Sequence, residues 1–105
     1  MADIRLQAPF SFKKAASTAF FGEGNRIFVQ PGAKGVQVGF YDSGANAQTD
    51  GALLLRVGEN STLAPIGIPA DNLYPLFAPG CAELPMLEID AKALEGTPDF
   101  IIIGI

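Results

Sequence analysis

Glycine and proline interrupt this chain so often that no long helix fits between them: its 105 residues include 12 Gly and 8 Pro. Proline removes a backbone donor and clashes with a preceding helical turn, while glycine adds backbone entropy, so each shortens the element that holds it. The segments between these breaks alternate apolar and polar residues with the period of a strand. Turn signals about every eight to twelve residues specify an all-β chain, either an antiparallel β-sandwich or a small barrel with short turns of helix at most. Residues 1–105 are read as a single β domain, because no stretch is long and polar enough to link two.

Near the N-terminus Ile4, Leu6, Ala8, Phe10 and Phe12 share one parity, and Pro9 predicts an edge position or a break. Residues 18–21 and 25–30 follow as strands, and Gln30-Pro31-Gly32-Ala33 places Pro and Gly where a type II turn wants them. With Val36, Val38 and Phe40 beyond it, this predicts a hairpin. A polar loop over 42–51 precedes a strand over 52–57. The 63–85 stretch is apolar and holds prolines 65, 69, 75, 79 and 85, so it is neither a central strand nor a long helix. It is expected to be an extended, packed excursion with a short turn near Asp71. A strand over 86–90 sets Leu87 and Ile89 opposite Glu88 and Asp90. One or two helical turns are expected over 90–96, with Asp90 as cap and Gly96 as stop. A last strand starts at Asp99.

Several function classes drop out. Net charge is −4 with seven basic residues, whereas phosphate binding needs a basic patch. The adjacent pair Lys13-Lys14 is read as a solvated loop. Histidine is absent and cysteine occurs once, which removes the serine triad, the Cys-His pair and a structural zinc site together. Cys81 has an apolar, Pro-flanked setting that favours an inert thiol. No apolar run is long enough to span a bilayer, and the start lacks the pattern of a signal peptide. Asn60-Ser61-Thr62 matches a glycosylation sequon that is read as accidental.

Other candidates have bland readings. The oxygen-rich loop from Asp42 to Asp50 lacks calcium-loop spacing, with Leu53 standing where a bidentate Glu belongs, so it is read as solvated. Glu88 and Asp90 share a strand face about 7 Å apart, a spacing that hydrolytic carboxylate pairs use. Alternate acids on a strand are usually its solvated face, however, and no Trp is present as a sugar platform. Gly22-Glu23-Gly24 and Gly32-Ala33-Lys34-Gly35 are turn glycines, not phosphate loops. Phe10, Phe12, Phe20, Phe21, Phe28 and Phe40 are expected to fill the core. The chain is therefore read as no enzyme, with no catalytic residue, cofactor or metal.

Interaction surface is what remains. Only 17% of residues are charged, against about 25% in a typical domain. The closing stretch PDFIIIGI is apolar on both strand faces and must be covered on both. A sandwich offers one inner face, so a neighbouring subunit is expected to supply the second cover, the alternative being the 63–85 excursion. The candidate oligomer or shell interface is Phe100, Ile101, Ile102, Ile103 and Ile105, with Leu73, Tyr74, Leu76 and Phe77. Gly104 is expected to allow close backbone approach or a bulge.

A short β chain without His or Trp, rich in Gly and Pro, with the loop-strand texture of LLLRVGENSTLAPIGIPADNLYPLF, resembles small virion structural proteins of tailed bacteriophages, of the decoration or cement type. The resemblance implies a β-sandwich, often a homotrimer, made in the host cytoplasm. It would sit on the lattice of a larger protein shell, such as that of a major capsid protein, and staple neighbouring capsomers. Neither nucleic acid nor a membrane is an expected partner. The alternative expectation is a small β-sandwich module binding a ligand or glycan through loops 42–51 and 58–62.

Overall fold

A computed structural model describes residues 4–41, 50–58, 62–69, 73–80, 82–96 and 98–105. In chain order the strands are β1 (Ile4–Leu6), β2 (Phe10–Ala15), β3 (Ile27–Val29), β4 (Val36–Tyr41), β5 (Gly51–Val57), β6 (Ala64–Ile68), β7 (Tyr74–Phe77), β8 (Leu87–Ala93) and β9 (Asp99–Gly104). They form two sheets, one ordered β1-β3-β8-β5-β6 and the other β2-β9-β4-β7. All pairs are antiparallel except β1 with β3. The protein is an all-β sandwich, and the described residues include no helix.

Alternation in the sequence becomes burial in the fold. Leu87, Ile89 and Ala91 of β8, with Leu53 and Leu55 of β5, face Val36, Val38 and Phe40 of β4 and Phe100 and Ile102 of β9. Phe40 and Phe100 are cross-strand neighbours whose ring centroids lie 5.3 Å apart, and Phe21 meets Phe100 edge-on at 6.4 Å. Phe40 and Phe100, both buried, contribute about 1.5–3 kcal/mol each.

The break expected at Pro9 is present: β1 ends at Leu6, β2 starts at Phe10, and the two lie in different sheets. Three expectations about connectivity change. Residues 18–21 are not a strand. The Pro31-Gly32 turn is present, with Gly32 at φ 112, but it carries the chain from one sheet to the other instead of closing a hairpin. The helical turns expected over 90–96 are absent because β8 runs on through Ala93, whose alternating side chains keep Ala91 and Ala93 buried.

The 63–85 stretch divides into β6 and β7, each at the edge of a different sheet. Pro65 in β6 and Pro75 in β7 explain the placement, since an edge tolerates a missing ladder donor. The turn expected near Asp71 lies outside the described residues, as do Cys81, the sequon positions Asn60 and Ser61, and most of the 42–51 loop.

Candidate functional site

The outer faces of the two sheets differ in chemistry. On the five-stranded sheet, cross-strand pairing sets Arg5, Phe28, Glu88 and Arg56 in one row. Arg5 stacks 4.7 Å above the Phe28 ring and Lys92 sits 4.9 Å above Phe20. Phe20 and Phe28 are therefore not core residues, as expected from sequence, but apolar platforms under cations.

β3 pairs with β8 only at Leu87–Ile89, leaving the next residues of β8 without a strand on that side. The 16–26 segment fills the gap. Ala93 N–H donates to Ser17 O at 2.7 Å, and the Asp90 carboxylate does the rest. Asp90 Oδ1 accepts from Phe21 N–H at 2.6 Å and Ala91 N–H at 2.8 Å. Its Oδ2 accepts from Gly22 N–H at 3.1 Å and Arg26 Nε at 2.9 Å.

Arg26 Nη1 also donates to Glu88 Oε2 at 3.0 Å, and Arg56 Nη1 lies 3.5 Å from Glu88 Oε1. The Arg26 guanidinium is held above its ordinary pKa, first by the hydrogen bond from Arg26 to Asp90, against the desolvation of its burial, and further by Glu88. Of the carboxylate pair read as a solvated face, Asp90 is 0% exposed and Glu88 is partly exposed. A carboxylate with four donors has no lone pair left for acid–base chemistry. Beside it Glu23, Arg26, Phe28, Arg56, Met86 and Glu88 line a cleft of about 320 Å³.

The four-stranded sheet turns a much less charged face outward. Register places Lys13, Ile101 and Gly39 in one row, Ser11, Ile103 and Gln37 in the next, and Ala15, Asp99 and Tyr41 in a third. Leu73 lies beside Gly39, where an added Cβ would come within 3.1 Å of its side chain. Lys13 and Asp99 are the charged pair of this face, 4.0 Å apart. Lys13 and Lys14 lie in β2 and not in a loop, and Lys14 Nζ sits 4.9 Å above the Phe21 ring.

The residues expected at an interface separate by parity. Phe100 and Ile102 are wholly buried in the core, while Ile101 and Ile103 point outward and are only partly covered. Tyr74, Leu76 and Phe77 pack partly against the core. Ile105 is 49% exposed, although its backbone continues the ladder to Lys34 and Gly35. Among the described residues the two strands of the excursion lie at sheet edges, with β7 beside β4. Sequence reasoning missed Arg26 and Arg56. The polar parity of Arg56 within LLLRV was a usable signal, but Arg26 precedes its strand and only folding brings it to Asp90.

No protein-family model, curated protein or solved structure matches this chain.

Proposed function

We propose that this protein is a structural assembly protein that self-associates and stabilises a larger protein shell, in the manner of a virion decoration protein. The observation that carries the reading is the outer face of the four-stranded sheet, where Ile101 and Ile103 stand partly exposed on a central strand. Their register neighbours are Lys13 and Gly39 beside Ile101, and Ser11 and Gln37 beside Ile103, so Lys13 is the one charged side chain among the four. Covering that face with another protein removes apolar area from water, which is the main driving force of stable association. The shell as partner rests on the resemblance to decoration proteins, and so do a trimeric state and location in a virion.

Ile101→Glu and Ile103→Glu test this reading while leaving the core untouched. Sedimentation should show the unaltered chain at a multiple of its 11.0 kDa mass and both variants at a lower mass than the unaltered chain. Mass spectrometry of the purified host particle should find the chain in stoichiometric amounts. A wild-type protein that stays monomeric at high concentration and is missing from the particle would sink the proposal.

A further inference from the structure

The two sheets have four edges, and three are closed to strand addition. β1 is three residues long; β6 holds Pro65 and β7 holds Pro75. β2 is six residues long, contains no proline, and has β9 as its one strand neighbour among the described residues. Ala16 N–H donates to Pro98 O at 2.9 Å, so by alternation the even-numbered residues of β2 bond β9. The N–H and C=O groups of Ser11, Lys13 and Ala15 point away from it. These three residues are exposed, and no described residue hydrogen-bonds their backbone on that side.

We infer that β2 is a self-pairing edge, joining antiparallel to β2 of a second copy with Phe12 opposite Phe12 across a two-fold axis. Side-chain chemistry selects the register. Keeping core-facing residues on one side of a continuous sheet requires even residues to oppose even ones, since a one-residue slip would turn core residues to water. A pair centred on Lys13 or Lys14 sets like charges directly opposite each other, which is destabilising. A pair centred on Ser11 sets Lys13 against Pro9 and shortens the ladder.

Centred on Phe12, every contact is compatible. Lys13 faces Ser11, Lys14 faces the Phe10 ring, and the partly exposed Phe12 rings cover each other at the close, non-hydrogen-bonded position. Ser11 and Lys13 exchange both of their backbone bonds with the second copy. The two four-stranded sheets become one continuous sheet, and the Ile101–Ile103 stripes lie on the same outer face.

This inference rests on the self-association reading and specifies one contact within it. Amide hydrogen exchange of the full-length protein, followed by NMR over a concentration series, tests it. The Ser11 and Lys13 amides should slow by about tenfold or more as the protein associates. Ser11→Pro removes an outward donor that β9 does not use. It should abolish the protection at Lys13 and lower the sedimentation mass. Association without slowing at Ser11 and Lys13 overturns the edge pairing while leaving self-association standing. Protection of both amides in a protein that never binds a shell supports the edge and overturns the shell reading. Concentration-independent exchange in the wild type overturns the edge without relying on any variant.

Discussion

Asp90 shows how much one side chain can hold in place. It lies on β8 where the neighbouring strand stops, and its two oxygens replace that strand as acceptors for Phe21, Gly22, Ala91 and Arg26. Asp90→Ala removes the acceptor of three N–H groups and one acceptor of the Arg26 guanidinium, which keeps Glu88, and is expected to cost about 3–5 kcal/mol, read from urea denaturation. Asp90→Asn keeps the shape but presents an NH2 group to donors, so a smaller loss is expected. The raised pKa of Arg26 adds a pH prediction. A base whose pKa rises on folding contributes fully wherever the unfolded group is protonated, and fades only as pH climbs through the raised value. The contribution of Arg26 to stability should therefore be flat from neutral to moderately alkaline pH, with loss on the basic side confined to strong alkali.

At the scale of elements, β9 works because its Gly104 and its Phe100 are matched to the neighbouring strands. Gly104 pairs with Phe10, whose ring occupies the place a Cβ would take. Across the sandwich, Gly51 of β5 accommodates the Phe40 ring in the same way. Gly104→Ala should cost about 1–3 kcal/mol by overpacking. Combined with Phe10→Ala, the loss should fall short of the sum by about 0.5 kcal/mol or more, because the second change removes the clash. Additive losses in thermal denaturation would mean that the ring does not restrain this position. Deleting 100–105 removes Phe100 and Ile102 from the core along with a central strand, so it should abolish folding and say nothing about an interface.

For the whole molecule, the two outer faces divide the work. One carries cations on aromatic platforms and an ion-pair cluster around the buried Asp90; the other carries an apolar stripe beside an open edge. The protomer exposes 5569 Å², close to the roughly 5,600 Å² expected of a folded monomer of this mass. Association would thus join finished protomers, not complete an unfolded one. Two contacts per protomer, through the Ile101–Ile103 face and the β2 edge, would let copies build beyond a dimer. Face variants and edge variants should accordingly stop assembly at different sizes, which light scattering would resolve. Identical masses for Ile103→Glu and Ser11→Pro would show that one contact carries the whole assembly.

The sequence by itself determined the all-β class, the edge placement of proline-bearing strands, and the interior parity of β4 and β8. Those follow from local rules: proline cannot serve a central ladder, and alternation at period two admits one buried face. Partnership between strands was decided by tertiary structure. The same alternation through Pro9 fits one strand or two, and Pro31-Gly32 fits a hairpin or a crossing, because turn chemistry sets a reversal and not the sheet that receives it. Glu88 and Asp90 look solvated in one dimension, since Arg26 lies more than sixty residues away in sequence from its carboxylate partners. In PDFIIIGI the residues Phe100 and Ile102 found their cover within the protomer, while Ile101 and Ile103 point outward. Which isoleucines face outward depended on the register with β2 and β4, a nonlocal choice made by packing.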